Sequence, residues 1–245
     1  MGSPVDKSYV DYGTYLRKRY GKPVYRVPID LGLSCPNRED GAAGCAYCGT
    51  YGARAVHLGD GAALREQVDV GIRIARERYH AEGFIAYFQA FTSTYAPVET
   101  LRELYERVLG MADFCAVAIS TRPDCLPPET VDFIASLTER YDVWVELGVQ
   151  TSCDETLVDI GRGHDFATSE KAIRMLADRG INVAAHVILG LPGERQVHFQ
   201  NTANALAQLP LSGIKIHNLH VVRDTAVAEQ WRLGQVRVWD EHEYG

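Results

Sequence analysis

From Tyr79 onward the chain alternates short, near-continuous apolar runs with longer stretches whose apolar residues recur at helical spacing. Residues 84–90, 114–120, 143–149, 181–189 and 214–219 read as strands, and 101–111, 129–140, 168–179 and 195–208 as helices. Upstream, 24–31 reads as a first strand and 62–78 as a first long helix. Strands apolar on both faces and joined by long helices pair in parallel through right-handed crossovers. About six β/α units follow, in one domain over residues 24–235 behind a polar, basic lead-in at 1–23. The pattern alone fits an open Rossmann-like sheet or a barrel-like wall. No Gly-x-Gly-x-x-Gly follows the first strand, which speaks against a dinucleotide site.

Three of the six cysteines fall within fourteen residues, as Cys35-x9-Cys45-x2-Cys48. The chain opens on a polar Met-Gly-Ser-Pro without a secretory leader and has no apolar run of eighteen residues. A cytoplasmic, reducing location with no membrane contact is therefore expected, and a metal site is favoured over a disulfide framework. Three thiolates leave a metal centre one ligand short, and an open position is where chemistry happens. A closed zinc site would instead need a fourth ligand such as His57, and would make the chain a non-enzymatic interaction module. Cys115 lies in an apolar strand and is expected to be a core residue.

Polar residues gather where the expected strands end: Gln89 and Thr92, then Ser120 and Arg122, then Glu146 and Gln150, then His186 and Gly190, then His217. In a parallel β/α array these ends form the functional face, and the cysteine loop after the first strand reaches the same face. The formal net charge of -7 argues against coating nucleic acid with the whole surface. A local contact is still open to Arg17, Lys18, Arg19, Lys22 and Arg26, the one compact basic stretch.

Taken together, the Cys35…Cys45-Ala46-Tyr47-Cys48 loop and the β/α units behind it resemble the radical S-adenosylmethionine (SAM) superfamily. The segments Phe88–Thr92, Ser120–Cys125, Val143–Thr151, Arg162–Phe166, His186–Glu194 and Gly213–His217 resemble its YhcC/YtqA-like branch and, more distantly, the Elp3-like proteins. The resemblance implies an α/β fold, a partial (β/α)6 barrel of parallel strands open on one side. It also implies a [4Fe–4S] cluster on Cys35, Cys45 and Cys48, with the fourth iron free to chelate SAM. An external one-electron reductant such as flavodoxin or ferredoxin would be needed. The implied reaction begins with a 5′-deoxyadenosyl radical, and remodelling of a 5-substituted wobble uridine in tRNA is the leading specific expectation. A small metabolite or peptide is the alternative substrate. Proteins of this branch continue beyond the sixth strand, so residues 236–245 are expected to start a C-terminal segment that is truncated or missing.

The same resemblance distributes roles among the remaining residues. Tyr47 is expected near the adenine, or else packing the cluster loop. The usual glycine-rich turn after the second strand is replaced by Gln89-Ala90-Phe91-Thr92-Ser93-Thr94, so Gln89 and Thr92 are expected to assist at the SAM amino group. Gln89 could alternatively cap a neighbouring strand. Ser120 and Arg122 are placed at the methionyl carboxylate, unless Arg122 only pairs with Asp124. Glu146 and Gln150 are expected on one side of the fourth strand, with SAM ribose, Arg122 or His186 as partners for Glu146. Ile188 and Gly190 are expected to support the adenine through backbone contacts, and Glu194 to cap the next helix. His186 and His217 are the substrate-side candidates.

Overall fold

The computed structural model describes residues 9–50, 52 and 62–244. Helix α1 (Tyr12–Tyr20) leads into strand β1 (Val24–Ile29). Asp11 starts the helix by accepting the Thr14 N–H at 3.0 Å, and Gly21 ends it in the left-handed region at φ 66°. Then follow α2 (Leu64–Tyr79), β2 (Gly83–Phe88), α3 (Val98–Leu109), β3 (Phe114–Thr121), α4 (Pro128–Ser136) and β4 (Asp142–Gln150). The chain continues through α5 (Asp154–Asp159), α6 (Phe166–Ala177), β5 (Asn182–Leu189), α7 (Gln196–Leu206) and β6 (Gly213–Asn218). Helices α8 (Ala226–Arg232) and α9 (Glu241–Tyr244) come last. The strands pair in the order β1-β2-β3-β4-β5-β6, all parallel. They form an open half-barrel, the barrel-like alternative left open by the sequence pattern.

Alternation along each strand divides the side chains between two environments. Val27, Ile29, Phe88, Ile119, Val145 and Val183 point outward and meet Leu101, Tyr105, Ile134 and Ile173 of the helices in the main core. Burying each such side chain is worth about 1.5–3 kcal/mol. Val24, Ile85, Tyr87, Ala116 and Ala118 point inward and form a second, smaller cluster with Leu16 of α1. Toward the strand C-termini the inward positions become polar, and the site is built there.

Two features shape this interior. The polar lead-in of the sequence carries α1, which packs on the inner face near the strand N-termini. There Tyr15 meets Trp144 edge-on at 5.5 Å, while Arg19 Nε and Tyr20 OH donate to Asp142 Oδ2 at 3.2 and 2.8 Å. Second, β1 is an edge strand. The carbonyls of Pro23 and Ile29 accept from the Gly83 and Gln89 N–H groups, so Val24, Arg26 and Pro28 turn their main-chain groups to the open side. Pro28, which has no N–H, therefore costs the sheet no hydrogen bond.

Candidate active site

The loop leaving β1 carries the three clustered cysteines to the C-terminal face of the sheet. Cys35, Cys45 and Cys48 line one cavity of about 380 Å³. Each sulfur faces an arginine from a different stretch of chain. Arg38 Nη2 lies 3.4 Å from Cys48 Sγ, Arg162 Nη1 3.7 Å from Cys45 Sγ, and Arg122 Nη1 4.0 Å from Cys35 Sγ. The Asn37 side-chain amide also donates to Cys45 Sγ at 3.2 Å. Burial pushes the Cys45 thiol up, but Arg162 and the donors around it outweigh burial and hold it below its ordinary value. The loop is stitched to the residues after α5 by the Ala46 N–H to Ile160 carbonyl bond at 2.9 Å.

The inner wall converges on Glu146, which is 2% exposed. Its Oε1 pairs with Arg26 Nη2. Its Oε2 accepts from Tyr87 OH at 2.7 Å and from Lys215 Nζ at 3.2 Å. His186 Nε2 approaches the same oxygen at 2.9 Å, out of line for a hydrogen bond. Ser120 Oγ donates to Tyr87 OH at 3.1 Å. Burial alone would raise the Glu146 carboxyl, yet His186, Arg26 and Lys215 together hold it well below the usual carboxylate range. Tyr87, buried beside this charge, is pushed up. His217 stands 5.5 Å from His186, ring to ring, and burial with the nearby Lys215 and His186 brings it down to about 4.

Most of the residues singled out in the sequence meet in this cavity. Tyr47, Gln89, Thr92, Ser120 and Arg122 line it, as do Glu146, Gln150, His186 and His217. Thr92 is fully buried, and among the described residues its hydroxyl has no partner. Arg122 forks onto Asp124, the alternative partner weighed for it, at 2.9 and 2.6 Å, and also donates to the Arg162 carbonyl at 2.8 Å. Of the partners weighed for Glu146, His186 is present and Arg122 is not. Gln150 lines the cavity with Glu146 and Gly148, on the same side of β4, although the register shifts between Gly148 and Gln150 and Gln150 has φ 73°.

Ile188 and Gly190 do not line this cavity. Ile188 packs with Leu157, Ile160 and Leu191, and the space beside Gly190 is filled by the ring of Tyr244. Glu194 is not a helix cap. It is buried and accepts from Thr151 Oγ1 at 2.5 Å, because the helix start is supplied by Arg195 and His198. Asp165 does cap α6, through the Thr168 N–H at 2.9 Å. Cys115 is half-buried beside the smaller cluster. Within the basic stretch, Arg26 is turned inward on Glu146 and Arg19 is held by Asp142, so what remains lies at the end of the barrel away from the cysteines. Tyr87, Lys215, Arg38 and Arg162 were not singled out as site residues. His57 lies outside the described residues.

The profile of the Radical SAM superfamily matches residues 32–206, which span the cysteine loop and α2 to α7 of the half-barrel. The chain belongs to the radical SAM superfamily. It is 39% identical to the uncharacterized protein YtqA of Bacillus subtilis, over 99% of this chain and 76% of that one. It is 30% identical to a tRNA uridine(34) acetyltransferase of Methanocaldococcus jannaschii, over 52% of this chain and 24% of the other. Among solved structures, the Elp3 of Methanocaldococcus infernus superposes with a TM-score of 0.67 at 20% identity, over 91% of this chain. The chain spans about half the length of that structure, 52%. The chain is a radical SAM enzyme, and enzymes of this family use a [4Fe–4S] cluster, SAM and an external electron donor.

The donor set here fits those groups. Three thiols open onto one cavity with cationic and amide donors at their sulfurs, and the orphaned Thr92 hydroxyl faces the same space. Among the described residues no three His, Cys, Asp or Glu side chains converge on a point, as a single zinc ion would need. A cubane takes one thiolate per iron and makes no such demand. Among the described residues, no helix is long and apolar enough to cross a membrane.

Proposed function

We propose that Cys35, Cys45 and Cys48 hold the [4Fe–4S] cluster, and that the enzyme remodels a 5-substituted wobble uridine of tRNA. The likeness over half the chain to a tRNA uridine(34) acetyltransferase carries the substrate reading. When bound, the cluster supplies the electron that cleaves SAM to a 5′-deoxyadenosyl radical.

The chain's own residues divide the remaining work. Tyr47, Gln89, Thr92, Ser120 and Arg122, on the cysteine side of the cavity, orient SAM. The Thr92 hydroxyl gains a partner there, which removes the cost of an unsatisfied buried group, about 1–3 kcal/mol. Glu146 and Gln150 border both ligands, with Glu146 fixed by its cations. His186 and His217, on the β5–β6 wall, face the substrate. A flavodoxin or ferredoxin is the electron donor. An anticodon loop suits a deep cavity because its bases unstack without opening a duplex.

The test is 5′-deoxyadenosine formation under anaerobic, reducing conditions, with tRNA from a strain lacking the gene beside tRNA from the wild type and small-molecule extracts. Stimulation by the deletion-strain tRNA is expected, with a changed wobble nucleoside. If small-molecule extracts alone stimulate, the substrate is a metabolite or peptide and the tRNA reading is lost.

A further inference from the structure

Arg162 is 6% exposed, and among the described residues no carboxylate pairs with its guanidinium. Nη2 donates to the Gly148 carbonyl at 2.6 Å, Nη1 to Cys45 Sγ at 3.7 Å, and Nε has no partner. Arg26 and Arg122 of the same site each have an acid, Glu146 and Asp124. A guanidinium cannot shed its proton to escape burial, and an unpaired buried ion costs several kcal/mol. An anion must offset that cost, and the atom that Nη1 faces is the sulfur of Cys45.

The local fold is shaped to keep the side chain there. Gly161 and Gly163 flank it in the left-handed region, at φ 64° and 80°. The Arg162 carbonyl accepts from Asn37 and Arg122, at 3.1 and 2.8 Å. Gly148 leaves the space the guanidinium occupies: a Cβ there would fall 2.7 Å from Nη2.

We propose that Arg162 is a fixed, buried counter-ion of the cluster, favouring its reduced state and so raising its reduction potential. The proposal rests on the three cysteines being the cluster ligands. One electron arrives from the external donor and no proton follows it, so the cluster with its thiolates gains one negative charge. A buried cation stabilises the more negative state, and hydrogen bonds and charge at the sulfurs are known levers on cluster potential. Arg122 contributes less because the Asp124 fork neutralises it. The charges therefore predict opposite signs for two substitutions. Removing the Arg162 charge lowers the potential, and removing the Asp124 charge raises it.

Wild type, R162K, R162Q and D124N are reconstituted anaerobically with iron and sulfide. Their fold is checked by circular dichroism and iron content is assayed. The midpoint potentials are then titrated spectroelectrochemically without SAM. R162Q is expected to shift downward, R162K to fall between it and wild type, and D124N to shift upward. An unmoved potential in R162Q overturns the proposal, as does R162K falling as far as R162Q or D124N failing to rise. Should R162Q be unfolded or take up no iron, R162K decides, a downward shift being expected and an unmoved potential overturning the proposal. A folded wild type that binds no cluster would defeat the cysteine assignment and this proposal with it. An intact wild-type cluster with unmoved variants defeats this proposal alone.

Discussion

Arg26 and Lys215 stand on the two edge strands of the sheet, β1 and β6, and meet on the carboxylate of Glu146. An open barrel is thereby tied across its interior by one anion shared between two cations. Arg26 also lies over the ring of Tyr12, at 4.5 Å, which extends the tie to α1.

Replacing Glu146 by Gln keeps the shape of the side chain and leaves both cations without a counter-charge. Breaking a buried pair in this way costs about 3–5 kcal/mol. Urea unfolding at pH 7 should show that loss. Because the folded-state carboxyl is held below its ordinary value of 4.5, its contribution is full above that pH and fades as the pH falls further. The gap between wild type and E146Q should narrow in acid. An equal gap at pH 7 and pH 3 would refute the ionic tie.

His217 should remain neutral at pH values where an ordinary imidazole is half protonated. Burial first, then the positive charge of Lys215, brings it to about 4 from 6.5. The unfolded chain takes up the proton first, so the histidine's contribution to stability is whole above pH 6.5 and declines toward pH 4. Imidazole resonances followed by NMR should place the His217 midpoint near 4, and K215M should raise it. A wild-type midpoint near 6.5 would contradict the geometry.

Single alanine substitutions at Cys35, Cys45 and Cys48 should each abolish 5′-deoxyadenosine formation and lower iron per chain. C115A and C153A should retain both, since among the described residues the Cys115 thiol bonds only the Phe84 carbonyl and the Cys153 thiol only Glu155. Iron assay with product chromatography decides, and activity surviving in C45A would sink the cluster assignment.

Asp142 anchors α1 through Arg19 and Tyr20 and also accepts from Asn182 Nδ2 at 3.0 Å. D142A should leave α1 held by Leu16, Tyr15 and the contact of Tyr12 with Arg26, at a cost of about 1–3 kcal/mol. Limited trypsin digestion should then cut at Arg17, Lys18 or Arg19 several-fold faster than in wild type. Unchanged cutting would mean that the apolar contacts suffice.

Much of this fold was legible because its strands are buried on both faces. Runs such as 114–120 and 143–149 are apolar whichever way each residue points, and they mark β3 and β4 to within one residue. Helix α1 escaped notice because its buried side consists of Leu16 and half-buried tyrosines, which no apolar periodicity reveals. The lining of the cavity was legible where a polar or cysteine side chain stands out at a strand end or in a loop, as with the cysteines, Glu146 and His186. Lys215 was missed because a lysine in a last strand reads as a solvated edge, and its inward turn depends on the pairing of His186 with Lys215. Tyr87 was hidden in an apolar run. For Arg162 the signal was present: glycines on both sides of an arginine allow the sharp turns that aim it inward. Ile188 and Gly190 were placed by resemblance, and neighbouring side chains fill the space beside both.

Strand β1 turns its outer main-chain groups away from β2, and Pro28 breaks that row. A barrel that does not close keeps a template on which a seventh strand, or the same strand of another copy, could zip. With no N–H to offer at Pro28, such a zipper loses a rung there. The open side of the half-barrel is thus a poorer template for strand pairing at Pro28 than an unbroken edge would be.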